Sequence, residues 1–343
     1  MDQNENYHGA MNVSAGTAAP KLLPLLGYAQ LITICMYVFS ITIPICIFGM
    51  VSNIANVLVF YKMGISTPSN ISLFCLAIAD FFTLCFILII SLGNHPLFLN
   101  ADLVMSMRDI ARMVASVYYG FSALGSWITA VINVERSCCV AFPMKVKQIF
   151  TPKCVKWLIG AMVIYQIASG LPRSFGVRIV KTISPLTNRT LLIYTPFNPR
   201  LVTTSYFVSF SLPNTVCFAV VVVGTIFLIS KFKSSRRLRD SMTKSGKSLS
   251  NISEKDIKLV RSMIFVCCIY IIGSAAGVVI YIVSTAYPTL QGDNPYLGTL
   301  ITAFIVHANL FQAVSCSVNI LVYFRMGSKF KKTFFQLFFC RSK

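Results

Sequence analysis

The residues of this chain that could do chemistry are polar side chains set inside long apolar segments. Asp80 ends the stretch Leu76-Ala-Ile-Ala-Asp80, the pair Glu135-Arg136 closes another apolar run, and Asn319 and Tyr323 stand four residues apart in a third. Burying such groups in an apolar medium is costly unless they find partners. Each of them is therefore expected to point inward or to serve a function.

Residue patterns typical of enzymes and metal centres are missing from the sequence. It contains no helical His-x-x-x-His pair, no nucleophile elbow and no phosphate-binding loop, and its only histidines are His8, His95 and His307. Two pairs of adjacent cysteines cannot both face one metal from a helix, and they are interpreted as membrane-packing residues. We expect neither an enzyme nor a protein-bound transition metal.

The elements that must position the polar residues are membrane-spanning helices. Of the 343 residues, 56% are apolar and 12% charged, against roughly a quarter charged in soluble proteins. A helix satisfies its own backbone in lipid, and about 20 apolar residues cross the hydrocarbon core. The sequence predicts an all-α membrane protein, a seven-transmembrane helix bundle with spans at 31–61, 71–92, 113–140, 155–171, 202–229, 260–281 and 297–324.

The charge distribution orients the chain. Lys and Arg number 30 against 10 Asp and Glu, but they gather between the apolar segments, which disfavours nucleic acid as a partner. With the amino terminus outside, only eight of the thirty basic residues lie outside, in agreement with the positive-inside rule. We expect a multi-pass plasma-membrane protein with an extracellular amino terminus, a cytoplasmic carboxy terminus and no removable signal peptide.

Three segments follow from this topology. Residues 1–28 form an extracellular tail, 29–327 the helix bundle, and 328–343 an amphipathic surface helix with a short cytoplasmic tail. Glycosylation sequons fall outside at Asn12 and Asn188, and inside, where they stay bare, at Asn70 and Asn251.

The amphipathic helix is predicted from the repeat of Phe330, Phe334, Leu337 and Phe338, with the lysines between them off the apolar stripe. It is expected to lie on membrane lipids, and Cys340 is either a palmitoylation site or an unmodified thiol.

Several short motifs, in order along the chain, resemble the rhodopsin-like (class A) G-protein-coupled receptors. The motifs are Asn53 in the first span, Glu135-Arg136-Ser137 with Pro143 seven residues after Arg136, and Asn319-Ile-Leu-Val-Tyr323 followed after six residues by Phe330. The sequence around Ser66-Thr-Pro-Ser-Asn-Ile and Pro143-Met144-Lys-Val-Lys is further similar to invertebrate peptide-type and molluscan chemosensory receptors. The resemblance covers nearly the whole chain.

The resemblance implies a receptor that binds an extracellular ligand and activates a heterotrimeric G protein. Glu135 would restrain Arg136 at rest, and the freed guanidinium would pack against the G-protein α-subunit. The coupling and switch residues implied are Glu135, Arg136, Ser137, Pro143, Met144, Asn319 and Tyr323. An inward polar cluster of Asn53, Asp80, Ser315 and Asn319 is also implied, in which Asp80 either holds a sodium ion or is protonated and joins helices.

The sequence departs from the family at several positions. The cysteine usual at the outer end of the third helix is replaced at about Ala111, and the outer loop that would hold its partner has no cysteine. Ile269, Ile271 and Ile320 replace a tryptophan and two prolines of helices six and seven. These helices are expected to be straighter than usual unless Gly273 with Ser274, or Ser315, supplies a bend.

The ligand is only partly constrained. Tyr118 stands where amine receptors have an aspartate, and Ala313 where opsins have the retinal lysine, so both ligand types are disfavoured. An outer loop with five basic residues and no acid favours a polar ligand, peptidic or anionic. The candidate ligand-binding residues, each of which helix packing could equally explain, are Arg112, Tyr118, Tyr119, Gln166, Arg173, Tyr206, Tyr281, His307 and Asn309.

A seven-span ligand-gated channel or a transporter remains the alternative. Transporters tend to show internal repeats and several ionisable residues at mid-membrane, whereas this sequence shows no repeat and one such carboxylate, Asp80. A channel with its amino terminus inside would leave twenty-two basic residues outside, so the location of a glycan separates the two topologies.

Overall fold

The computed structural model describes residues 27–99, 103–183, 190–244, 254–286, 295–326 and 328–339. Most of them are helical. A π-helical turn, Phe207–Ser211, joins α7 (Pro199–Tyr206) and α8 (Leu212–Lys244) into one continuous helix. The helices are α1 (Tyr28–Met63), α2 (Pro68–Asn94), α3 (Pro96–Leu99), α4 (Met107–Ala141), α5 (Pro143–Ile149), α6 (Pro152–Phe175), α7 (Pro199–Tyr206), α8 (Leu212–Lys244), α9 (Glu254–Ala286), α10 (Pro295–Ser317), α11 (Asn319–Met326) and α12 (Ser328–Phe338). Asn12, Asn188 and Cys340 lie outside the described residues.

Helix starts are encoded locally by capping residues followed by proline. Thr67, Thr151 and Asn198 each accept a hydrogen bond from the backbone N–H three residues on. In all three helices a proline occupies the first position, where a missing N–H costs nothing. Ser106 caps α4 in the same way without a proline. The chain therefore leaves each short connection and enters the next helix at a defined residue.

Six helical segments are long and apolar enough to cross a membrane: 29–63, 68–94, 107–141, 152–175, 199–231 and 299–325. In α9 the apolar stretch, Ile264–Ile280, is shorter. The prediction of a helical, multi-pass membrane protein is confirmed. Each of the seven segments lies where the hydropathy of the sequence predicted a span.

The core of the bundle lies around α4, which packs against α2, α6, α8 and α9. Where α2 ends and α4 begins, the backbones approach so closely that a Cβ on Gly93 would lie 2.6 Å from the carbonyl oxygen of Met107 and 2.8 Å from the Cβ of Ala111. Small residues at both positions allow this contact. At the opposite end, Tyr323 and Phe330 pack on Phe60, joining α11 and α12 to α1.

The all-α expectation missed a β-hairpin between α6 and α7. Strands β1 (Val177–Ile183) and β2 (Thr190–Pro196) pair antiparallel, with Val177 opposite Pro196. Their β-branched residues favour extended backbone. Leu192 donates its N–H to the carbonyl of Val104 at 2.9 Å, so the hairpin is tied to the start of α4.

The seventh long helix has a break in its helical backbone, although its proline is replaced by Ile320. The helix is interrupted at Val318, between α10 and α11. Just before the break, Ser317 donates its hydroxyl hydrogen to the carbonyl of Ala313 at 2.6 Å. Serine bonding back to a carbonyl four residues earlier often bends a helix. The interruption lies beside Ser317, whereas Ser315, which the sequence analysis named as a source of a bend, lies within α10.

Candidate functional site

Asp80 is buried on α2 and paired across the bundle. Asn319 on α11 donates its side-chain N–H to Asp80 Oδ2 at 2.7 Å. A cavity of about 20 Å³ adjoins the carboxylate, which is room for one water-sized species. Ser315 lines the same cavity, together with Ser126, Thr129, Gln312 and Cys316. The structure thus brings together at one cavity Asp80, Ser315 and Asn319, three of the four residues of the polar cluster that the resemblance implied, and we call this the Asp80 site.

Asn53 does not bond to Asp80. Its side-chain amide donates to the carbonyls of Gly49 at 2.9 Å and of Cys316 at 3.0 Å. The second bond ties α1 to α10 immediately beside the Asp80 site. Asn53 therefore belongs to the neighbouring contact between α1 and α10 because backbone carbonyls, rather than the carboxylate, lie within reach of its amide.

Glu135 and Arg136 form a buried pair at the last turns of α4. They are 5% and 9% exposed, with 3.5 Å between Glu135 Oε1 and an Arg136 terminal nitrogen. Ser69 on α2 donates to Glu135 Oε1 at 2.7 Å and accepts a hydrogen bond from Arg136. Ser69 therefore holds both charges, and we call these three residues the Arg136 site.

This pair is only partly satisfied. Glu135 Oε2 and Arg136 Nε are buried with no hydrogen-bond partner among the described residues. Breaking or incompletely pairing buried charges costs several kcal/mol unless other partners compensate. Few contacts therefore stabilise the two charges. Additional hydrogen-bond partners would lower the free energy of the buried pair.

The other predicted coupling residues differ in their positions relative to the Arg136 site. Ser137 follows Arg136, and its buried hydroxyl has no partner within the described part of the chain. Pro143 and Met144 begin α5, but their side chains lie outside the description. Tyr323 packs in the aromatic contact with Phe60, away from the charged pair.

A polar junction that the sequence analysis missed joins α4, α8 and α9. Asn133 donates its side-chain N–H groups to Thr225 Oγ1 at 3.2 Å and to Cys267 Sγ at 3.1 Å. The available signal was a polar stripe on α4, at Ser122, Ser126, Thr129 and Asn133. This i, i+4, i+7, i+11 spacing places them on one helix face.

At the end of the bundle that carries the hairpin, several predicted ligand-binding residues meet. The Arg173 guanidinium carbon lies 5.2 Å from the centroid of the Tyr119 ring and 5.8 Å from that of Tyr206. Phe210, which the sequence analysis missed, lies 4.5 Å from Tyr119 between ring centroids. We call Tyr119, Arg173, Tyr206 and Phe210 the Arg173 cluster.

Two other candidates pair beside this cluster. Tyr118 donates its hydroxyl hydrogen to Asn309 Oδ1 at 3.0 Å, joining α4 to α10. The rings of Tyr118 and Tyr119 lie 5.3 Å apart. Gln166, on α6, is 8% exposed, and neither polar atom of its side chain has a partner within the described residues.

The remaining ligand-binding candidates do not join the cluster. Arg112 is 57% exposed and pairs at 3.0 Å with Asp109, an acid that the analysis overlooked, because both lie on one turn of α4. His307 Nδ1 contacts the carbonyl of Ala303 at 2.7 Å in its own helix. The side chain of Tyr281, in α9, lies outside the description.

Apolar helices and inward-facing polar sites together define a helical, multi-pass membrane protein that resembles G-protein-coupled receptors. No family model matches the chain. A Caenorhabditis elegans protein described as a candidate G-protein-coupled receptor is 31% identical over 122 residues, which are 34% of this chain and 28% of that protein. The match therefore spans less than a third of the relative's length.

Proposed function

We propose that the chain is a seven-helix, rhodopsin-like G-protein-coupled receptor. It binds an extracellular ligand, a peptide or a small polar chemosensory cue, and activates a heterotrimeric G protein. The observation that carries the proposal is the Arg136 site. An arginine and an adjacent glutamate are buried at a helix end and only partly satisfied, and one partly buried serine bridges them. Such a guanidinium is held at rest and would be available to a protein partner once released.

Activation is a shift between two packings of the bundle. A ligand shifts such an equilibrium only by the difference in its affinity for the two states, and each tenfold preference is worth about 1.4 kcal/mol. α4 carries both Tyr119 and Arg136, which are about 26 Å apart along a helix of 1.5 Å rise per residue. A movement of α4 against α2 would act directly on the contact between Ser69 and Arg136.

The Asp80 site fits a small hard cation such as sodium. Such ions take oxygen ligands, and Asp80, Thr129, Ser315 and Asn319 supply side-chain oxygens around the cavity. A bound sodium ion would neutralise the carboxylate and hold α2 against α11. The same cation would stabilise whichever packing keeps these oxygens together.

The proposed orientation places the Arg173 cluster outside and the Arg136 site in the cytoplasm. Asn12 and Asn188 would then carry glycans. α12 would lie on the inner leaflet, where its exposed apolar residues Leu337 and Phe338 can contact lipid, and Cys340 would be available for palmitoylation.

The test is guanine-nucleotide exchange on purified heterotrimers with membranes that contain the protein. We expect exchange above that of empty membranes, reduced at least tenfold in Arg136→Ala at equal surface expression. Lys153→Ala, an exposed cation at the first turn of α6, is the matched control and should leave exchange unchanged. Exchange equal in wild type and Arg136→Ala would exclude the proposed role of Arg136. Ionic current through protein reconstituted in vesicles would instead favour the channel.

A further inference from the structure

The Arg173 cluster contains a cation that no carboxylate balances in the described part of the chain. The ion pairs there are Arg112 with Asp109 and Arg136 with Glu135. Arg173 is half-buried and faces two tyrosine rings, and its Nε atom is buried without a hydrogen-bond partner among the described residues. Ring faces offset only part of the cost of removing a guanidinium from water. An anion placed against Arg173 would offset much more.

Gln166 supplies a second polar group on the same face of α6. It precedes Arg173 by seven residues, two helical turns, so both side chains project to one side of the helix. The amide is more than nine-tenths buried, and both its oxygen and its nitrogen lack partners within the described residues. A buried amide with neither group bonded costs a few kcal/mol. It is ready to accept and donate one hydrogen bond each to a bound molecule.

The residues around Arg173 are aromatic, and the π-helical turn positions two of them. Tyr206 precedes this turn and Phe210 lies within it, with ring centroids 5.5 Å apart. Tyr119 packs against both, at 4.9 Å from Tyr206 and 4.5 Å from Phe210. Single π-helical turns inside α-helices occur frequently at functional sites. The three aromatic rings favour a ligand with an apolar or aromatic body.

The number of cations limits the charge of the ligand. Arg178 in β1 is the next basic residue after Arg173, and its guanidinium carbon lies 3.4 Å from the ring centroid of Phe197, just after β2. One planar guanidinium suits the two oxygens of one carboxylate, whereas a doubly charged phosphate is better matched by several cations. A monoanionic head group is therefore the better fit.

We propose that Arg173 binds the carboxylate of a ligand whose apolar body packs on Tyr119, Tyr206 and Phe210 and whose second polar group bonds to Gln166. This inference rests on the proposed receptor function and names the ligand class for it. The carboxylate belongs either to a free organic acid or to the carboxy terminus of a peptide.

Thermal unfolding of the purified protein in detergent tests this directly, without a G protein. The probes are benzoate, N-acetylphenylalanine and N-acetylphenylalanine amide. We expect a carboxylate probe to raise the midpoint of unfolding and the amide to have no effect. Stabilisation by benzoate identifies a free acid as sufficient, whereas stabilisation by N-acetylphenylalanine alone identifies a peptide carboxy terminus.

Arg173→Ala should abolish the carboxylate-dependent shift. Arg173→Lys, which keeps the charge and most of the stem but loses the planar fork, should weaken the apparent affinity at least tenfold. Arg178→Ala, the matched control, should bind as wild type does. Equal stabilisation by acid and amide, an unchanged response in Arg173→Lys, or no stabilisation by either acid at millimolar concentration would overturn the proposal.

Nucleotide exchange measured on the same preparations separates the two proposals. Carboxylate-dependent stabilisation without exchange on any heterotrimer leaves the ligand site standing and removes the receptor function. Exchange that depends on Arg136, with no carboxylate-dependent stabilisation, retains the receptor and removes the ligand class.

Discussion

Ser69 holds the two charges of the Arg136 site with a single hydroxyl group. It donates to Glu135 at 2.7 Å and accepts from Arg136. Ser69 belongs to the stretch Ser66-Thr-Pro-Ser-Asn-Ile, but the sequence assigned it no role, since it precedes Glu135 by 66 residues and its contact depends on how α2 crosses α4. The sequence identified the two charges, and folding supplied the residue that joins them.

We predict that Ser69→Ala raises ligand-independent nucleotide exchange. A hydrogen bond to a charged group contributes about 1.5–3 kcal/mol, so losing it should shift the equilibrium toward the released arginine by about tenfold or more. The measurement is basal exchange normalised to surface expression. Ser66→Ala, an exposed serine at the same connection, should leave basal exchange unchanged, and a Ser69→Ala protein with wild-type basal exchange would contradict this role.

At the Asp80 site, we predict stabilisation by sodium ions. At ten times the dissociation constant, a ligand bound only to the folded protein contributes about 1.4 kcal/mol. Wild-type protein should therefore unfold at a higher temperature in sodium chloride than in choline chloride at equal ionic strength. Asp80→Asn should remove that difference while retaining a hydrogen-bond partner for Asn319. Identical unfolding of wild type in the two salts would show that no sodium is bound.

At the level of the helices, the junction of α4, α8 and α9 depends on one asparagine. Asn133 contacts both Thr225 and Cys267, and Gly224 provides the space for it. A Cβ added to Gly224 would overlap Asn133 Oδ1 and lie 2.9 Å from its Cγ. The close approach of α8 to α4 therefore requires glycine at position 224.

We predict that Gly224→Ala lowers stability by about 1–3 kcal/mol, the usual cost of overpacking. Gly160→Ala on α6 is the matched control, because nothing lies within 4 Å of the added Cβ; it should be neutral or slightly stabilising. The combination of Gly224→Ala with Asn133→Ala should be less destabilising than the sum of the single variants, since the overlap is gone. Thermal unfolding of the wild type and these four variants checks this prediction. Additive effects of Gly224→Ala and Asn133→Ala would show that residues other than Asn133 move to relieve the overlap.

The break in the seventh long helix could not be predicted from proline alone. The sequence lacks the family's proline, yet the helix breaks at Val318 next to the serine that bonds to Ala313. Serines are common in this segment, so the sequence does not say which of them lies beside the break. Ser317 also lies within 3.2 Å of the carbonyl of Ile45 on α1, a contact that arises only when the helices pack.

For the whole molecule, the orientation in the membrane is a prediction that glycan mapping can check. Positive-inside topology puts Asn12 and Asn188 outside and Asn251 inside. We predict that Asn12→Gln and Asn188→Gln each reduce the mass removed by a glycosidase from protein expressed in eukaryotic cells. Asn251→Gln, the matched control, should leave it unchanged. A glycan on Asn251 would reverse the topology and place the Arg173 cluster in the cytoplasm.

Hydrophobicity was sufficient for the class of fold and the approximate positions of its helices, although each observed helix, or run of joined helices, extends beyond its predicted span at both ends. Apolar length predicts spans because the membrane demands internally satisfied backbones, and the Thr-Pro and Asn-Pro pairs define helix starts through local hydrogen bonds. Asp80, Arg136 and Asn319 were recognisable because polar groups are costly in apolar helices.

Which of these residues meet was decided by tertiary structure. Several contacts join residues that are far apart in the chain. They are the contacts made by Ser69, Asn133 and Phe210, and the packing of Arg173 on Tyr119. They depend on the rotation of each helix about its axis and on its crossing with its neighbours, which packing determines jointly. Local sequence specifies each helix by itself, whereas the relative placement of two helices is a property of all the side chains between them.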